Sequence, residues 1–178
     1  MRGSLKLFTW FKIPVHLHWT FGLIFLLALW ISFTNNFTAV GTIWLMGYFG
    51  AVFTCVLLHE YGHALMARRY GVQTQDIILT PIGGIARLER MPEKPAQEFF
   101  VAIAGPMVNV VIAILMFALA ALLFQGERWE LFNWFLGQFL STGAEDSSMA
   151  GVVDENGIPT AWFLYFFTLL LITNIILV

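Results

Sequence analysis

Hydrophobic positions run through this chain in long blocks broken by short polar clusters. No Asp, Glu, Lys or Arg lies between Lys12 and Glu60, and none falls within Phe99 to Phe124 or within Ile158 to Val178. The first block is long enough for two membrane-crossing helices, roughly His18 to Phe33 and Val40 to Tyr70, with the polar Thr34-Asn35-Asn36 as the turn between them. The other blocks supply a third span, about Phe99 to Phe124, and a fourth from near Ile158 to Val178. Each comes near the roughly 20 apolar residues that cross a hydrocarbon core, where only helices satisfy their own backbone groups without closing a barrel.

Two segments depart from this helical pattern. Leu5 to His18 contains Pro14 and alternates in part, so residues 1–17 read as a strand or an interfacial lead-in. Gln73 to Arg90 carries Ile77, Ile78 and Leu79, then Pro81, Gly83 and Gly84, then Ile85, which predicts a strand-turn-strand over 73–90. The region 125–157 collects Glu127, Glu130, Glu145, Asp146, Asp154 and Glu155, and its stretch Trp129 to Leu140 predicts an interfacial helix. The predicted fold is an all-α polytopic membrane protein with a short β element, about four transmembrane helices and a single membrane-embedded core over 1–178.

Composition sharpens this. Of 178 residues, 59% are hydrophobic and only 11% charged, against about 25% charged in an average soluble domain. So few charges cannot cover the surface of a water-soluble globule. A soluble enzyme and a nucleic-acid binder are therefore disfavoured, and a net charge of -2 supplies no field for a polyanion. The single Cys55 rules out an intrachain disulfide and a four-cysteine zinc knuckle. Arg2, Lys6, Lys12, Arg68, Arg69, Arg87, Arg90 and Lys94 fall on one side of the predicted spans, and Arg128 falls on the other. The positive-inside rule then puts the amino terminus and the 68–96 segment in the cytoplasm of a multi-pass cell-membrane protein.

Candidate chemistry sits in Val56-Leu57-Leu58-His59-Glu60-Tyr61-Gly62-His63-Ala64-Leu65-Met66, an H-E-x-x-H run. His59 and His63 lie about 40° apart on one helix face, one turn from each other. Two imidazoles so placed can hold one zinc ion, while Glu60 is turned off their line, poised to take a proton from water rather than to ligate. Gly62 removes bulk between them and lets another backbone approach. In a soluble helix the same pattern is often a solvated face. Here His59 lies about 13 Å before Arg68 along an apolar span, where an ionisable group costs about 3 kcal/mol or more. A metal site is the stronger reading.

Together with Pro81-Ile82-Gly83-Gly84 and Ala104-Gly105-Pro106-Met107-Val108-Asn109, in that order, this run resembles the site-2 protease family of intramembrane zinc metalloproteases, in its bacterial and archaeal branch. The resemblance extends over nearly the whole chain. It implies zinc on His59 and His63 and Glu60 as catalytic base. It also implies that Asn109 lines the site and helps polarise the substrate carbonyl, beside the plain alternative of an interhelical hydrogen bond. Gly83 and Gly84 would bend toward the site, and the 73–90 edge would take an unwound substrate as an added strand. Implied partners are transmembrane protein substrates and the lipid bilayer, with no nucleic acid.

In the family an Asp-Gly motif supplies the third zinc ligand, and no Asp-Gly occurs in these 178 residues. The expectation is one zinc ion whose third protein ligand lies beyond Val178. The alternative is a catalytically incomplete homologue acting as a regulator or scaffold. Asp76, Glu89, Glu93 and Glu98 lie among basic residues and read as a solvated or interfacial face. His16 and His18 read as interfacial rather than ligating.

Overall fold

A computed structural model describes residues 3–34, 36–81, 83–90, 92, 94–123, 170 and 172–174. The described chain is mostly helical with one short sheet. It begins with a hairpin of β1 (Ser4–Trp10) and β2 (Ile13–His18). Phe11 and Lys12 connect them at φ 49° and 61°, the left-handed pair that a two-residue hairpin turn requires. Residues 73–90 form a second hairpin, β3 (Thr74–Thr80) and β4 (Gly83–Leu88). The sheet order is β1-β2-β3-β4. β2 and β3 pair in parallel, Val15 with Ile77 and Leu17 with Leu79, while the outer pairs are antiparallel. Pro14, which has no N–H to give, precedes the first pair of the parallel ladder.

Three helices follow the blocks of apolar sequence. α1 (Gly22–Thr34) has 13 residues and rises about 20 Å, less than a hydrocarbon core of about 30 Å. The strand that runs to His18 and the 3-10 turn Trp19–Phe21 take up the start of the first predicted span. α2 (Ala39–Arg69) has 31 residues and α3 (Pro95–Leu123) has 29. These two are long and apolar enough to cross a membrane. The fourth predicted span and the 125–157 segment lie outside the described residues, except that 170 and 172–174 are helical.

Helix ends carry their expected chemistry. Thr38 caps α2 by accepting from the Gly41 N–H at 3.2 Å, and Arg68 and Arg69 occupy its last turn, where cations meet the negative end of the dipole. Pro95 opens α3, a position where its missing N–H costs nothing.

One face of the sheet supplies Ile13, Val15, Ile77 and Leu79 to a core completed by Tyr61 and Ala64 of α2 and by Phe21 and Ile24. The Tyr61 hydroxyl donates to the Trp10 carbonyl at 3.3 Å, and the two rings meet edge to face at 5.2 Å. The sheet is thereby docked on α2 at the level of the H-E-x-x-H run.

Asp76 corrects one expectation. It is not a solvated carboxylate but is 6% exposed, because Arg87 of the neighbouring strand grips both its oxygens, with Nε on Oδ1 at 2.5 Å, and His16 Nδ1 lies 3.4 Å away. Burying a carboxylate demands such partners. The hydrogen bond to Asp76 in turn raises the pKa of Arg87 above its ordinary value.

Candidate active site

One turn of α2 points side chains at three neighbours. His59 and His63 face α3, Glu60 faces β4, and Tyr61 and Ala64 face the sheet core. The spacing of 3.6 residues per turn makes this division. Gly62 lies at the crossing of α2 with α3, where an added Cβ would stand 2.6 Å from the Ala104 carbonyl oxygen and 2.9 Å from Val108. The expected close approach of another backbone at Gly62 is thus made by α3.

The two imidazoles converge. His59 Nε2 and His63 Nε2 are 3.1 Å apart. His63 Nδ1–H donates to the Val101 carbonyl at 2.7 Å, which sets its tautomer and leaves Nε2 as the basic nitrogen. Asn109 is fully buried on α3, with its Nδ2 3.1 Å from His59 Nδ1. Each ring is therefore held at its far nitrogen by α3, and both near nitrogens face one space. His59 Nε2 is the free basic nitrogen when the Asn109 amide presents its oxygen to accept from His59 Nδ1–H, since an amide N–H donated to Nδ1 leaves the proton on Nε2.

Gly105 makes that space. A Cβ there would stand 2.7 Å from His59 Nε2 and would overlap His63 Nε2. Two nitrogen ligands at about 2.0–2.1 Å from a tetrahedral zinc stand about 3.3 Å apart. The separation of the imidazoles and the clearance at Gly105 fit two corners of such a site. No group of three or more His, Cys, Asp or Glu side chains able to hold a metal occurs among the described residues.

Glu60 reaches the sheet. Its Oε2 accepts from the Ala86 N–H of β4 at 3.0 Å. A Cβ at Gly84 would overlap the Glu60 side chain, so the Gly83-Gly84 turn gives the carboxylate room. His16 and His18 do not join this cluster: His16 lies by Asp76, and His18 Nδ1 lies 2.6 Å from the Thr20 hydroxyl. Asn174, also fully buried, donates to Cys55 Sγ at 3.2 Å, one helical turn before His59. Gly105 stands in the Ala104–Asn109 run, but the clearance it leaves and the backbone partners Val101 and Ala86 carry no signal in local sequence, because two act through backbone groups and one through an absent side chain.

The model of Peptidase family M50 matches residues 47–177. The chain belongs to this family. Among its relatives, a zinc metalloprotease of Methanocaldococcus jannaschii is 36% identical over 116 residues, which cover 65% of this chain and 32% of that protein. Stage IV sporulation protein FB of Bacillus subtilis is 32% identical over 82 residues, 45% of this chain and 28% of that protein. The chain thus spans a third or less of the length of these relatives. Its fold is similar to the site-2 protease from M. jannaschii, with a TM-score of 0.54 and 28% identity, over 94% of this chain and 62% of that one. An M50 chain with a fold of this type is a membrane protein of the bacterial and archaeal branch.

Proposed function

We propose that this chain is the metal-binding core of an intramembrane zinc metalloprotease that hydrolyses peptide bonds within or near transmembrane segments of membrane-protein substrates. The observation that carries the reading is the convergence of His59 Nε2 and His63 Nε2 on the space left by Gly105. His59 and His63 would hold one zinc ion. When bound, zinc supplies the Lewis acidity that lowers the pKa of water and polarises a carbonyl.

Glu60 takes the proton of the attacking water and returns it to the leaving amine. Its bond to the Ala86 N–H fixes one carboxylate oxygen and leaves the other for that exchange. Asn109 orients the His59 ring. The carbonyl-polarising role implied by the resemblance requires its amide to turn away from that ring. The β4 edge, next to Glu60, offers backbone groups to an unwound substrate strand. The resemblance calls for a third ligand from an Asp-Gly motif, which these 178 residues do not contain. Asn174 lies beside α2 through its contact with Cys55, one helical turn before His59. The protein sits in the cell membrane as a multi-pass, single-core protein with its amino terminus in the cytoplasm, a placement supported by the distribution of basic residues.

The test is zinc content and cleavage of a model transmembrane substrate by the full gene product. Glu60→Gln should keep zinc and lose cleavage by about 10²–10⁴-fold. His59→Ala should lose zinc. Equal cleavage by wild type and Glu60→Gln would remove the base assignment, and unchanged zinc in His59→Ala would remove the ligand assignment. The alternative reading is a catalytically incomplete homologue that acts as regulator or scaffold. Full zinc occupancy with no cleavage by the wild-type gene product would select it.

A further inference from the structure

The α2–α3 pair has two flanks. One carries the imidazoles. On the other, a groove of about 540 Å³ opens between Gly62, Met66 and Arg69 of α2 and Phe100, Met107 and Val111 of α3. Among the described residues, Arg69 is the one charged residue lining it. From Phe100 to Ile112, both on the groove, α3 rises about 18 Å, close to the depth of one leaflet of a core about 30 Å thick. Met107 and Val111 are half exposed, at 52% and 50%.

We propose that this groove is a binding site for an anionic phospholipid, with one acyl chain along α3 and the phosphate on the Arg69 guanidinium. The walls are hydrocarbon throughout, which suits an alkyl chain. Gly62 and Ala104, small residues at the helix crossing, keep the floor shallow and continuous. Charge is confined to one end. Arg69 lies in the last turn of α2, and no acidic side chain pairs with it among the described residues. On α3 the groove lining begins at Phe100, and Glu98 projects about 160° from Phe100 around the helix. The amino terminus of α3, the positive end of its dipole, lies at the same end. A basic pocket between membrane helices is the recurring form of phospholipid headgroup sites. The site is independent of the metal centre, so its failure would leave the proposed protease activity standing, and the reverse.

The test is lipid retention by the purified full gene product, measured by native mass spectrometry after delipidation and titration with phosphatidylglycerol or phosphatidylcholine. Wild type should retain one phosphatidylglycerol about fivefold more strongly than phosphatidylcholine, the factor that one interfacial cation supplies. Arg69→Gln should abolish that preference, and Arg69→Lys should restore most of it. Met107→Trp should fill the groove and lower retention of both lipids. Both sites are exposed, so the variants keep the helix contact at Gly62. Equal retention of the two lipids by wild type would overturn the proposal, as would an unchanged preference in Arg69→Gln. So would a photo-crosslinker at Met107 that captures a substrate helix or another segment of the chain in place of lipid.

Discussion

A methyl group at residue 105 would stand 2.7 Å from His59 Nε2 and overlap His63 Nε2, inside the space that a shared metal ion needs. Gly105→Ala should therefore reduce zinc affinity by about 10–100-fold, the range seen when groups supporting metal ligands are lost, with helix content by circular dichroism unchanged. Zinc affinity equal to wild type would show that the imidazoles do not meet a metal on that side. Residues of this kind divide what was legible in the sequence from what was not. The spacing of His59, Glu60 and His63 is a local property of one helix, so the facing of the two rings could be read from i, i+4 periodicity alone. Gly84 and Gly105 act by leaving room for side chains more than twenty and forty residues away in sequence, respectively, and no local pattern carries that. The resemblance implies Asn109 as a site-lining residue, with an interhelical hydrogen bond as the plain alternative. Its contact with His59 decides that its interhelical partner is the imidazole.

At the scale of elements, β4 couples the sheet to the candidate base through the Ala86 N–H. Ala86→Pro would remove that donor on an outer strand, where proline is tolerated if its nitrogen faces away from the ladder. Losing one charge-assisted bond of about 1.5–3 kcal/mol should lower kcat for substrate cleavage by about tenfold or more, with zinc content unchanged. A fall confined to KM would assign the amide to substrate binding instead. The cross-strand pair of Asp76 with Arg87 belongs to stability. Arg87→Met would strand a buried carboxylate and should lower the thermal unfolding midpoint, whereas Asp76→Asn combined with Arg87→Met should recover part of the loss. A double variant as unstable as the single one would show that the pair contributes through packing alone. The 73–90 hairpin was legible because Pro81, Gly83 and Gly84 punctuate two apolar runs. The burial of Asp76 was not, since it depends on Arg87 and His16 arriving on adjacent strands.

On the scale of the whole molecule, the sheet joins residues 4–18 to residues 74–88 by the parallel pairing of β2 with β3, with α1 and α2 as the crossover. Local sequence cannot announce such a pairing, because register between distant strands is set by the core they share. That core is Ile13 and Val15, both fully buried, against Tyr61, Ala64, Ile77 and Leu79, and it lies under the H-E-x-x-H turn. The amino-terminal hairpin is then a support for the site, although it carries none of the three motifs. Ile13→Ala should cost about 2–5 kcal/mol, a large share of the 5–15 kcal/mol typical of a folded domain. It should lower the unfolding midpoint in detergent while leaving one zinc per chain below that midpoint. Removal of residues 1–18 takes away both buried side chains and leaves β3 with an open edge beside Tyr61. That variant should lose protease resistance around residues 74–88 and lose zinc together with cleavage, although His59, Glu60, His63 and Asn109 are all retained. Full zinc content and wild-type cleavage in the shortened chain would show that α2 and α3 hold the site without the sheet, and that the pairing of β2 with β3 serves another purpose.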